Sequence, residues 1–89
     1  MLVEFDKSFS KSLDKIKDHK IQKRIFKFIE FADNAKIIQE IPSIKKMTGF
    51  KTFYRYRFGN YRIGFRIINT KTIRLIVVAK REVIYTIFP

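Results

Sequence analysis

The chain has no cysteine and a single histidine, His19, in 89 residues. A disulfide framework, a thiolate nucleophile, a thiolate metal site and a histidine-cluster metal site are thereby all out of reach. It has no tryptophan, three glycines and two prolines. That scarcity of breakers, with 46% hydrophobic and 16% aromatic residues, excludes a disordered or low-complexity chain. No apolar run approaches the roughly 20 residues that span a bilayer, and the start, MLVEFDKSF, lacks a basic-then-apolar leader pattern. A cytosolic protein without membrane contact is expected. The length suits one domain with one modest core, residues 1–89.

Acidic residues are the other shortage. Ile44 to Pro89 holds eleven Lys/Arg against one acid, Glu82, whereas Met1 to Ser43 holds nine basic and seven acidic residues. Of the net charge of +12, then, +10 lies in the C-terminal half. Its alternating pattern reads as strands rather than as a helix or tail. A sheet bearing that much charge of one sign, with Tyr and Phe between its Arg residues, repels itself until a polyanion or an acidic partner covers it.

Leu2 to Phe5 reads as a short strand. Ser8 or Ser10 is placed to cap a helix in which Phe9, Leu13 and Ile16 share one face. Asp18-His19 breaks that pattern, and a longer helix follows from about Lys20 to Asn34, with Ile21, Ile25, Phe28, Ile29 and Ala32 forming a buried stripe. Phe26 and Phe31 flank the stripe, at the margins of the core. His19 reads as a cap or surface residue. Ala35 to Thr48 is irregular, with Pro42 barring a continuous helix and Lys45-Lys46 solvated, so it reads as a connector. Three strands are expected at Phe50 to Phe58, Tyr61 to Ile68 and Thr72 to Arg81, joined through Gly59-Asn60 and Asn69-Thr70-Lys71. Val83 to Phe88 is rich in β-forming residues and closes the chain. The fold class is α+β, in the order β-α-α-β-β-β(-β): a small, twisted, mostly antiparallel sheet with an αα-hairpin on one face.

Alternation puts Tyr54, Tyr56 and Phe58 on one face and Arg55 and Arg57 on the other; in the next strand Tyr61, Ile63 and Phe65 oppose Arg62, Gly64 and Arg66. With the apolar sets turned to the helices, Arg55, Arg57, Arg62 and Arg66 converge into a four-guanidinium patch. Gly64 leaves a gap in it where a backbone or a phosphate can approach. Arg suits bidentate phosphate contacts, and like charges at cross-strand distance destabilise the sheet when nothing neutralises them. Nucleic acid or an acidic protein is the expected occupant. The strand ThrIleArgLeuIleValValAla is almost wholly apolar and runs abruptly into Lys80-Arg81-Glu82. Val77 and Ala79 share the parity of Arg81 and look like core, so alternation leaves the face of Arg81 open, with a bulge near Glu82 as one resolution.

The tract FYRYRFGNYRIGFRI, the apolar strand after it and the ending AKREVIYTIFP resemble the RelE/ParE superfamily of type II toxin–antitoxin toxins. The resemblance covers essentially the whole chain. Its most specific part pairs the hairpin R-x-R-x-x-x-YR with a terminal R-x-x-x-Y and a final FP. Lys80 stands where several members have His.

The resemblance implies a RelE-like fold and a ribosome-dependent endoribonuclease that cuts mRNA by attack of a ribose 2′-OH on the adjacent phosphate, with no metal or other cofactor. It maps the catalytic set onto Arg55, Arg57, Arg62, Arg81 and Tyr85. Arg62 and Arg81 suit a clamp for the transition state, and Tyr85 can stack on a base or orient the 2′-OH. Lys51, Arg66 and Lys80 join as RNA-binding residues. Some members carry Lys where this chain has Arg55 and Arg57, which stay protonated, so Lys51, Lys80 or the ribosome is left to accept the proton. The implied partners are the ribosome with its mRNA and a cognate antitoxin whose acidic segment covers the basic sheet face in a hetero-oligomer. Other readings are a ParE-like inhibitor of DNA gyrase, a non-catalytic RNA-binding module and a degenerate toxin that only binds antitoxin.

Overall fold

The computed structural model describes residues 1–88. Five strands, β1 (Leu2–Phe5), β2 (Ile44–Lys46), β3 (Phe53–Phe58), β4 (Tyr61–Asn69) and β5 (Thr72–Lys80), form one sheet in the order β1-β5-β4-β3-β2. Pairing is antiparallel except for β1 with β5. Helices α1 (Lys7–Asp14) and α2 (His19–Asn34) lie on one face. A third helix, α3 (Arg81–Ile87), returns onto the other. Among the described residues, no helix is long and apolar enough to cross a membrane.

Asp6, rather than Ser8 or Ser10, caps α1: its carboxylate accepts from the Ser8 backbone N–H. Ser8 is committed elsewhere. Its hydroxyl lies within hydrogen-bond reach of both the Asp6 carboxylate and the Ile76 carbonyl, while the Ser12 hydroxyl one turn later accepts from Val78 N–H at 3.0 Å. β1 has ended at Phe5, opposite Leu75, so these two serines satisfy the edge of β5 that β1 no longer covers.

The main core is aromatic. Phe28 of α2 packs on Tyr56 and Phe65, with ring centroids 4.4 and 5.5 Å apart, and Phe9, Ile25, Ile63, Ile73 and Leu75 are fully buried around them. Tyr54 and Tyr56 belong to this layer, as their alternation with Arg55 and Arg57 requires. Phe26 and Phe31 sit at its rim and remain exposed.

Two expectations are corrected. Val83 to Phe88 is not a strand: residues 81–87 are helical, because Ile84 and Phe88 fall one turn apart and pack with Val77 on the sheet face away from α1 and α2. Ala35 to Thr48 is not wholly a connector. It contains a short 3₁₀ turn, Ile38–Glu40, and the edge strand β2, whose three residues pair with Tyr54, Arg55 and Tyr56.

β5 does carry a bulge, earlier than expected, but the direction of Arg81 is set by α3. Gly64 pairs with Val77 and Phe65 with Leu75, leaving Ile76 as the extra residue. Leu75 therefore points into the aromatic core while Val77 and Ala79 lie under α3. Strand parity then ends at Lys80, and Arg81 takes its direction from the helix.

Candidate functional site

A cleft of about 430 Å³ opens on the α3 side of the sheet, lined by Ser43, Ile44, Lys45, Arg55, Arg57, Arg62 and Tyr85. Each strand from β2 to β4 contributes. Lys45 stands directly opposite Arg55, Arg55 opposite Gly64, and Arg57 opposite Arg62, so these side chains share one face. Tyr85 comes from α3, at i+4 from Arg81.

Arg55 and Tyr85 hold each other. The guanidinium carbon of Arg55 lies 4.6 Å from the centre of the Tyr85 ring, and that of Arg81 lies 5.9 Å from the same ring. A cation over an aromatic face is attracted by its quadrupole, and here one ring is shared by two cations. Among the described residues the Nε of Arg55 is buried without a hydrogen-bond partner.

Arg62 is 8% exposed. One nitrogen of its guanidinium donates to the Gly59 and Tyr61 carbonyls at 3.1 and 2.8 Å, fastening it to the β3–β4 turn. Among the described residues no carboxylate offsets its charge. Among the described residues the one ion pair is Arg74 with Glu4, at 2.8 Å, at the β1 side of the sheet. A cluster of cations over a partly enclosed surface, with no acid among them, attracts phosphate and stabilises charge that builds up on it.

The structure thus brings Arg55, Arg57, Arg62 and Tyr85 into one cleft, with Arg81 beside Tyr85. Three other expected residues lie apart. Arg66 is exposed, opposite Arg74 and 5.8 Å from the Phe53 ring, outside the cleft lining. The four-guanidinium patch is divided because the Phe88 ring, not a phosphate, fills the gap at Gly64: a Cβ there would lie 2.6 Å from Phe88 Cδ1. Lys51 occupies the bend before β3. Lys80 pairs with Tyr61, one position out of step with the Arg62–Ala79 pair, and so belongs to the opposite side of the sheet.

Three lining residues escaped the sequence reading: Ser43, Ile44 and Lys45. The available signal was parity, since Lys45 falls opposite Arg55 once Ile44 to Lys46 is recognised as a strand. Ser43 has a backbone φ of 60°, uncommon for a residue with a side chain, and its carbonyl accepts from the Arg57 N–H at 2.9 Å. Among the described residues no three His, Cys, Asp or Glu side chains gather into a metal-binding group.

Comparison with known proteins places this architecture. The family described as the ParE toxin of type II toxin–antitoxin systems matches residues 3–85. Toxin RelE3 of Methanocaldococcus jannaschii is 41% identical over 90 residues, covering 100% of both chains. The toxin–antitoxin complex RelB–RelE from Methanococcus jannaschii contains a chain 40% identical, with a TM-score of 0.79, covering 97% of this chain and 99% of that one. In the archaeal RelE–RelB complex from Pyrococcus horikoshii the identity is 22% and the TM-score 0.71, over 90% of this chain and 93% of that one, a likeness of fold.

Proposed function

The chain belongs to the ParE toxin family of type II toxin–antitoxin systems and is RelE-like within it, and from that premise we propose that it is a ribosome-dependent endoribonuclease that cleaves mRNA. The observation that carries this reading is the cleft itself, in which Arg55, Arg57, Arg62 and Tyr85 converge with no carboxylate among the described residues to neutralise them.

In the proposed reaction the ribose 2′ oxygen attacks the adjacent phosphorus, the bond from phosphorus to the 5′ oxygen breaks, and a 2′,3′-cyclic phosphate and a 5′-hydroxyl result. Negative charge gathers on the non-bridging oxygens as the phosphorane forms. Arg62 is preorganised for this step, because the turn carbonyls fix its guanidinium before substrate arrives. Arg57, directly across from it, completes the clamp from the neighbouring strand. Arg81 reaches the same region from α3. Tyr85, braced by Arg55, offers a ring for a base adjacent to the cut and a hydroxyl near the ribose.

Guanidinium groups do not accept protons near neutral pH. Lys51 and Lys80, the amines expected to do so, lie outside the cleft. Lys45 does line it; in the proposed reading the chain positions the RNA and stabilises the transition state, and the ribosome completes proton transfer. An antitoxin is the proposed partner, supported by the relative 40% identical to this chain that was solved as a complex with an antitoxin; an acidic segment on it would match the charge of the cleft. Cleavage of mRNA on programmed ribosomes, lost in the Arg62→Ala/Arg81→Ala double variant with the fold retained, is the test. A ParE-like action on gyrase is the second reading, favoured by the family match alone. Gyrase inhibition with intact mRNA would establish it instead.

A further inference from the structure

We propose that the solvent face of α2 is a second nucleic-acid surface, which grips the phosphate backbone of structured RNA in the ribosome on the side of the molecule away from the cleft. The inference rests on the ribosome-dependent reading and gives that dependence a surface on this chain.

Met1 to Ser43 is nearly balanced in charge, with nine basic and seven acidic residues, but the fold sorts them. Lys20, Lys23, Arg24 and Lys27 are all exposed, and at 3.6 residues per turn they fall within an arc of about 100°, turned away from the stripe of Ile25, Phe28 and Ala32 that packs on the sheet. No acid lies between His19 and Ile29. Each of the four has two of the others three or four positions away, the spacing at which like charges destabilise a helix. None of them is in an ion pair; among the described residues that of Arg74 with Glu4 is the only one.

The row also opposes the helix macrodipole. The first turn of α2 holds no acid and the last no base, so the cations crowd the positive end. Residues that break local folding rules twice over mark a function. Arg24 and Lys27 engage the rings of Phe58 and Phe31 from 5.6 and 5.8 Å, so the nearest aromatic rings serve as seats for cations rather than as a bare apolar centre. A protein partner needs such a centre to bury, whereas a row of charge alone fits a phosphate backbone. The RNA on this face is not the strand that is cut. The cleft opens on the α3 side, and the buried rings of Phe28, Tyr56 and Phe65 and the sheet itself lie between the two surfaces.

The test sediments the native chain and a Lys20→Gln/Lys23→Gln/Lys27→Gln variant with mRNA-free ribosomes across a salt series, with thermal unfolding of each protein alongside. The variant should bind at least about tenfold more weakly at low salt, with a log–log salt slope shallower by about two, since each phosphate contact contributes nearly one. On programmed ribosomes its KM for cleavage should rise while kcat holds, because the cleft is untouched. Its unfolding temperature should stay level or rise as like charges are removed, and the matching triple Arg variant should bind as the native chain does. Undiminished ribosome binding in the Gln variant, a lower unfolding temperature, or no binding by the native chain overturns the proposal. Ribosome binding that survives the Gln substitutions while binding to polyglutamate is lost assigns the face to an acidic protein and overturns it as well. Native binding of the expected kind with mRNA left intact would remove the cleavage reading and leave this docking surface standing.

Discussion

Arg57 of β3 and Arg62 of β4 face each other directly across an antiparallel pair, and neither has a carboxylate partner among the described residues. The two are not equivalent. Arg62 is buried and hydrogen-bonded to the turn, whereas Arg57 is exposed and adds charge without a local contact to repay it. Replacing Arg57 with Ala should therefore stabilise the fold by up to about 1 kcal/mol, while Arg62→Ala should cost about 1 kcal/mol through the lost bonds to Gly59 and Tyr61. Both should slow RNA cleavage by about a hundredfold or more. Chemical denaturation beside the cleavage assay separates the two effects. Stability changes of the same sign would show that the cross-strand repulsion is not significant.

Gly64 should be intolerant of any side chain. The Cβ of Gly64→Ala would meet three atoms of the Phe88 ring at 2.6 to 2.8 Å, so α3 must lift, at a cost of about 1–3 kcal/mol. Arg81 and Tyr85 ride on that helix, and cleavage should fall while the strand arginines keep their places. Hydrogen exchange checks this directly: protection should drop in residues 81–87 and persist in β3 and β4. Unchanged protection in α3 would mean that Phe88 finds another seat at no cost.

Tyr85 divides into a ring and a hydroxyl. Tyr85→Phe retains the surface on which Arg55 rests, 4.6 Å from the ring centre, and Tyr85→Ala removes it. If the ring is the working part, the Phe variant should cleave within a few-fold of the native chain, while the Ala variant loses at least about tenfold, the value of a stacked base. Equal loss in both would place the hydroxyl in the chemistry.

Much of this was legible from residue patterns. The period of two in FYRYRFGNYRIGF placed Arg55, Arg57 and Arg62 on one face because the Tyr and Phe between them had to be buried, and the structure has that arrangement. Arg66 followed the same parity yet stands outside the cleft, since alternation says nothing of what folds over Gly64. The tail misled for a related reason: Val83 to Phe88 has strand propensity, but the chance to bury Ile84 and Phe88 on the free sheet face overrides it. Lys45 was hidden because a three-residue edge strand after Pro42 has too few residues to display a period.

Acid should weaken the fold through two carboxylates. Hydrogen bonds from the Ser8 hydroxyl and backbone hold the Asp6 carboxyl below the usual carboxylate range, and bonds from the Lys36 and Ile37 N–H groups do the same for Glu40. A group depressed in the folded state stabilises it above the unfolded value and loses that contribution as pH falls through the folded one. Stability should therefore be level near neutrality and decline below the ordinary carboxylate range. Asp6→Asn and Glu40→Gln should each flatten part of that decline in urea titrations at several pH values. An unaltered slope in both variants would locate the acid sensitivity elsewhere.

If the ribosome supplies the proton acceptor, free mRNA should be cut at least about a hundredfold more slowly than mRNA on ribosomes, the usual worth of a positioned acid or base. Comparable rates on the two substrates would require a base within the chain and would reopen the case for an amine.

The most direct measurement maps 5′ ends on an mRNA held by programmed ribosomes, with purified native chain and with the Arg62→Ala/Arg81→Ala variant. Discrete new 5′-hydroxyl ends for the native chain, absent for a variant that remains folded, are the expected result. Intact mRNA with the native chain, or cleavage undiminished in the variant, would contradict the cleft as a site of RNA cleavage.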